Sequence, residues 1–207
     1  MGAWKRTIEQ VIAESERRGG FLGVRPIMPG DWHLATGLPL SGSGDVQATV
    51  RTGTTIHAAK WIAGADTSDY LCLTVPLTDL LHTYDPVHGA PEVLLYASAA
   101  QGGSGTTTED LNLLATAVWE YSAAGSFTDT SIPFENADGT IQVNGADDTR
   151  HDGYFDLTGA ASAADLALIT SRTVLNIKIT PSDAIAANQL AYIYNAWLVC
   201  RQHLVSP

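Results

Sequence analysis

The residues best suited to acid–base or metal chemistry are six histidines, His33, His57, His82, His88, His151 and His203, and they are scattered along the chain. Only His82 and His88 lie close together, bracketing LHTYDPVH, where Asp85 would complete an acid–base or metal-binding set. Pro86 and Gly89 mark the same stretch as a turn, and an exposed polar loop accounts for it more simply. A second cluster gathers Asp147, Asp148, Asp152 and Asp156. Its oxygens would suit calcium, but the spacing follows no calcium loop, so a solvated loop is the expectation. Cys72 and Cys200 each sit inside an apolar run and are expected to be buried free thiols. Two cysteines so far apart make no zinc site, and whether the two pair depends on geometry that the sequence does not contain.

Glycine-rich stretches offer no more. Gly102 to Gly105 lacks the spacing of a nucleophile elbow, and Ser41 to Gly44 reads the same way, as a flexible loop. No P-loop, dinucleotide fingerprint or paired-histidine zinc helix occurs. The expectation is a protein without catalytic residues, cofactor or metal, one that binds or assembles. Five tryptophans, Trp4, Trp32, Trp61, Trp119 and Trp197, raise a carbohydrate- or receptor-binding reading, since sugar rings stack on aromatic faces. Trp119 and Trp197 lie within apolar runs and are expected in the core or between subunits. Trp32 and Trp61 are the better candidates for exposure.

Composition narrows the partners. Of the 207 residues, 45% are hydrophobic and only 16% charged, against about 25% charged in an ordinary globular protein. Such a surface favours a subunit of an assembly. The formal charge of -11 repels phosphate backbones and argues against nucleic acid. No apolar run approaches the roughly 20 residues of a membrane span. The charged N-terminus, MGAWKRTIEQVIAESERR, does not resemble the apolar core of a signal peptide. A soluble chain made in a cytoplasm is expected.

The elements that must position these residues divide the chain into an N-terminal part, 1–44, and a β-domain, 45–207. Trp4, Ile8, Val11 and Ile12 form one helical stripe between Trp4 and Arg18, ended by Gly19 and Gly20. From Phe21 to Gly44, proline and glycine oppose a helix or central strand. Yet Phe21, Leu22, Ile27, Met28, Trp32 and Leu34 are too apolar for a solvated linker. An extended arm lying in a groove, of this subunit or a neighbour, reconciles the two.

Beyond Gly44, short β-branched and aromatic runs bounded by Gly, Pro, Asn or Asp predict strands. They run Val46 to Arg51, Thr55 to Ile62, Tyr70 to Pro76, Glu92 to Ala97, Leu111 to Tyr121, Thr140 to Val143, Gly153 to Leu157, Thr173 to Thr180 and Leu190 to Arg201. Asp138-Gly139 suits a tight hairpin. The segment Ala160 to Ser171 reads as a short helix or helical turn. The number of strands points to a mainly β, antiparallel two-sheet sandwich of jelly-roll type with the N-terminal helix and arm attached. A faint echo runs through it, LCLTVPLTDLL leading into EVLLYASA as LNIKITPSDAI leads into LAYIYNAWLVC.

The stretch from about Ala65 to His203 resembles the jelly-roll cement, or decoration, proteins on the heads of tailed bacteriophages. The segments that carry the resemblance are DYLCLTVPLTDLL, EVLLYASAAQGG, LNLLATAVWEYSAAG and VLNIKITPSDAIAANQLAYIYNAWLVCRQ. It implies a structural virion protein on the capsid surface, a homo-oligomer, commonly a trimer, that clamps neighbouring major capsid proteins. Trp4, Ile8, Val11, Phe21, Ile27, Met28 and Trp32 would then be its assembly contacts. This chain is longer than the simplest decoration proteins and carries a helical N-terminus.

Overall fold

The computed structural model describes residues 21–50, 57–78, 80–81, 90–103, 113–136, 151–187 and 189–202. Two antiparallel sheets face each other. The larger has seven strands: β3 (Val46–Val50), β4 (His57–Trp61), β12 (Gln189–Gln202), β6 (Glu92–Gly103), β10 (His151–Asp156) and β9 (Glu135–Asn136), in that order, with β1 (Phe21–Ile27) also paired to β12. The smaller has five strands, in the order β2 (His33–Leu34), β5 (Leu71–Pro76), β11 (Val174–Pro181), β7 (Leu113–Ser122) and β8 (Gly125–Pro133). The orders β4-β12-β6-β10 and β5-β11-β7-β8 are those of a jelly roll.

The alternation read from the sequence explains why these strands form a sandwich. Along β11 the burial alternates residue by residue, with Leu175, Ile177 and Ile179 turned inward and Asn176 and Lys178 outward. The inward residues meet Trp61, Leu95, Trp119 and Phe155 in one continuous core. Burying each such side chain contributes about 1.5–3 kcal/mol. Trp119 stacks on Phe127, with ring centroids 5.8 Å apart, and Phe134 meets Phe155 edge-on at 5.2 Å.

The sequence echo has a structural counterpart. β5 leaves the five-stranded sheet at Pro76 and the chain enters the seven-stranded sheet as β6; β11 leaves at Pro181 and the chain enters as β12. The two departing strands pair with each other, Leu73 opposite Ile177, and so do the two arriving ones, Val199 opposite Leu94. The echo is thus a repeated crossing between sheets, with proline ending each run where its missing N–H costs no ladder bond.

Several expectations need correction. Gly102 and Gly103 are not a loop: they continue β6 and lie opposite Leu190 and Gln189 of β12. The extended arm runs within its own sandwich. Phe21–Ile27 forms β1 along the last seven residues of β12, and His33–Leu34 pairs with β5, so strands from the first 44 residues belong to both sheets. Pro26 is tolerated because β1 has a single strand neighbour. β8, unmarked in the sequence reading, is an edge strand whose Ser126, Thr128 and Thr130 face solvent, which disguises it as a loop. The short helix or helical turn expected within Ala160 to Ser171 is present as one turn, α1 (Ala163–Leu166), capped by Ser162 Oγ accepting from the Asp165 N–H at 3.2 Å. The helix over Trp4 to Arg18, the strand over Thr140 to Val143 and the Asp138-Gly139 hairpin lie outside the described residues.

Gly23 shows how closely β1 is packed. A Cβ there would stand 2.3 Å from the Leu80 carbonyl oxygen and 2.6 Å from the Leu80 Cα, both rigid backbone atoms. Gly23→Ala is expected to destabilise the protein by about 1–3 kcal/mol through overpacking. Urea unfolding followed by tryptophan fluorescence measures it, and an unchanged midpoint would show that β1 does not pack as described.

Candidate binding groove beside a forked strand

β12 is buried along almost its whole length, and both its edges are in use. On one edge β6 follows it from Gln189 to Arg201. The other edge is divided. β4 pairs with Ala191, Tyr192 and Ile193, and β1 takes over at Ala196. Asn195 falls between the two ladders, exposed, with φ at +27°, in a bulge where the register against β6 shifts between Tyr194 and Trp197. The positive φ suits an asparagine better than a β-branched residue.

A groove of about 630 Å³ opens at this fork, within the roughly 300–1,000 Å³ of small-ligand sites. One wall is the end of β1 with the segment after it: Ile27, Met28, Pro29 and Trp32. The other is the β3–β4 pair: Ala48, Thr49, Val50, His57, Ala58 and Ala59. The back is β12 from Ile193 to Trp197. Burial divides the lining into a floor and a rim. Ile27, Trp32, Ala58, Ala59, Ile193, Tyr194 and Ala196 are buried, whereas Met28, Val50, His57 and Asn195 are exposed. Thr49, His57 and Asn195 are therefore at or near the rim, while the hydrogen-bonding groups of Trp32 and Tyr194 belong to buried residues of the lining. No Asp, Glu, Lys or Arg occurs among the described lining residues.

Trp197 is half-buried. One part of it packs with Leu22, Val24, Leu94 and Val199 on the outer face of the large sheet, and it also borders the groove. Beside it on that face, Tyr192 and Tyr194 stack with centroids 6.0 Å apart and planes 8° from parallel. The outer face of the small sheet is polar, with Thr74 donating to Asn176 at 2.7 Å and the Lys178 ammonium 3.9 Å from the centre of the Tyr70 ring.

The aromatic residues are exposed in the opposite order to that expected. Trp61 is fully buried at the end of β4, with its indole N–H donating to the Asp69 carbonyl at 2.8 Å, and Trp32 is buried at 6% exposure. Both point between the sheets, where a large indole fills the core. Trp119 is in the core as expected. Of the residues considered for assembly, Ile27 and Trp32 are buried in the chain's own fold and Met28 is 60% exposed at the groove. Phe21 starts β1, and Trp4, Ile8 and Val11 lie outside the described residues. Asn195, His57 and Trp197 escaped notice as site residues. The one available signal was Asn195 itself, a polar residue interrupting the apolar run of β12.

The other candidates are dispersed. Asp152 accepts from the Ser98 hydroxyl at 2.6 Å, and Asp156 accepts from the backbone and hydroxyl of Thr158 at 3.2 and 3.3 Å, so both serve local structure. His82, Asp85, His88, Asp147 and Asp148 lie outside the described residues. Among the described residues no cluster of three His, Cys, Asp or Glu side chains could hold a metal. Both cysteines are free, Cys72 on the small sheet and Cys200 on the large.

No family model matches the chain, and no curated protein sequence does. Solved structures with a similar course of strands include the N-terminal modules of Clostridium thermocellum endo-1,4-β-D-xylanase 10B complexed with xylohexaose, with 11% identity and a TM-score of 0.46. That match covers 86% of this chain and 27% of that one, so this chain spans about a quarter of the length of its counterpart. The C-terminal family 22 carbohydrate-binding module of the same enzyme has 10% identity and a TM-score of 0.43, over 86% of this chain and 88% of that one. A putative glycoside hydrolase from Bacteroides vulgatus has 10% identity and a TM-score of 0.42, over 86% and 95%.

The thiols provide a check on the burial. Burial pushes Cys200 up to about 12 from an ordinary value of 9.0, because the thiolate would lose its solvation. Burial also raises Cys72, partly opposed by the Lys178 ammonium. With the folded pKa raised, the stabilisation from keeping Cys200 protonated is complete below pH 9 and declines as pH rises towards 12. At pH 8 a disulfide reagent is expected to leave Cys200 untouched until denaturant is added, with Cys72 reacting more slowly than a free thiol. Immediate reaction of both would contradict the packing of β12.

Proposed function

We propose that this chain is a recognition module that binds carbohydrate in the groove at the fork of β12. The observation that carries the reading is the amphipathic lining: the aromatic residues Trp32, Tyr194 and Trp197 beside buried aliphatic ones, with Asn195, His57 and Thr49 near the opening. A sugar ring has the same two-sided character, a C–H face that stacks on an aromatic ring and hydroxyl edges that need hydrogen-bonding partners. The back and one wall are strands, which limits the ordering that would accompany binding.

Trp197 is the residue to change, because it lines the groove without forming part of the central core. Against an oligosaccharide identified by glycan array, Trp197→Ala is expected to weaken binding at least about tenfold by calorimetry, equivalent to about 1.4 kcal/mol. The circular dichroism spectrum should be retained. An array on which no oligosaccharide binds above background would end this reading.

A second reading, a capsid cement subunit that trimerises and grips major capsid proteins on a virion, draws support from exposed apolar residues at the mouth of the groove. Met28 is 60% and Val50 46% exposed, on a chain with few charges. It predicts a trimer by light scattering that binds undecorated phage shells at fixed stoichiometry. A monomer that ignores shells would rule it out.

A further inference from the structure

We infer that Asn195 sets the specificity of the groove by reading two adjacent hydroxyls of one sugar ring; this rests on the carbohydrate reading above. Of the described non-glycine residues only Ser131 and Asn195 have a positive φ, and of these two only Asn195 lines the groove. Backbone held in so sparsely populated a region is characteristic of sites where a side chain must be aimed. The strands beside it leave it open. The β4 ladder stops at Ile193 and the β1 ladder at Ala196, so neither covers Asn195. The residue is exposed, and no hydrogen bond ties its carboxamide to another described residue.

A carboxamide sets a donor and an acceptor side by side, so its NH2 can donate to one hydroxyl while its carbonyl oxygen accepts from the next. Nothing else in the described lining does the same. Thr49 has one hydroxyl, already donating to the Val50 carbonyl at 3.4 Å, and Trp32 and Tyr194 carry an indole N–H and a hydroxyl on separate, buried residues. Two bonds to one group fix the rotation of a ring as well as its place. Linkage then decides which sugar chains qualify. The inner rings of 1,4-linked and 1,6-linked hexose polymers keep free hydroxyls at C2 and C3, whereas a 1,3 link occupies C3 and leaves C2 and C4 on either side of it.

The test is affinity electrophoresis of the chain in gels that hold amylose or glucomannan, both 1,4-linked, dextran, 1,6-linked, or laminarin, 1,3-linked. At least one of the first three is expected to bind about tenfold or more tightly than laminarin. Asn195→Gly accepts the positive φ without strain and lacks the carboxamide, so it is expected to lose that preference. Its urea midpoint should equal or exceed that of the parent chain, which separates a lost contact from a lost fold. Laminarin binding as tightly as the others, a preference kept in the glycine variant, or retardation in none of the four gels would each overturn the inference. Only a blank glycan array would remove the carbohydrate reading with it.

Discussion

A long strand buried on both faces must find hydrogen-bonding partners for its backbone along both edges, because an unmet buried N–H or C=O costs about 1–3 kcal/mol. β12, Gln189–Gln202, is that strand. β6 follows one edge throughout, and β4 and β1 share the other. The rest of the sandwich is organised around this solution. β3 extends the sheet from β4, β10 and β9 extend it from β6, and the crossing from β11 at Pro181 delivers the chain to the start of β12.

Sharing an edge has a geometric consequence. β1 and β4 are both antiparallel to β12 and run the same way along its edge; β1 ends opposite Ala196 and the β4 ladder begins opposite Ile193, which leaves a gap at Tyr194 and Asn195. The bulge at Asn195 relaxes the strand across that gap, and the +27° φ is accommodated by a residue type that tolerates it. The groove is therefore a product of strand pairing rather than of loops. Its position is fixed by Ile193 opposite Ala59 on one side and Ala196 opposite Ile27 on the other.

This division explains what could be read in the sequence. Strands with one dry face declared themselves: β5, β7, β11 and β12 were all legible because Leu71, Trp119, Leu175 and Leu198 recur at alternate positions in apolar runs. The edge strand β3 was legible too, but β8 and β1 were not. β8 hides its two inward anchors, Phe127 and Ile132, among serine and threonine. β1 hides behind Pro26, although an edge strand admits a proline. The groove was less legible still, because it is made by three segments far apart in sequence. Nothing local to Met28, Val50 or Asn195 says that they share a rim, and the tryptophans misled because a large indole serves a core as readily as a surface. Trp61 and Trp197 each lie near the end of or within an apolar strand, and only the face on which the alternation places them sends one into the core and the other outward.

Trp197 joins the fold to its proposed use. Its ring packs with Leu22 and Val24 of β1 and with Leu94 and Val199, so its orientation is set by the same pairing that creates the gap beside it. A ligand entering the groove meets an indole that is already oriented, and the entropy of fixing a flexible aromatic side chain has been spent during folding. The polar side chains at the rim are held less firmly, since His57 begins β4 and Asn195 lies in the bulge. On the carbohydrate reading, stacking on that indole would supply affinity that any sugar face can claim, while the rim residues would discriminate between sugars. Folding forces would then determine where a ring sits, and the few residues that folding leaves exposed which ring it is.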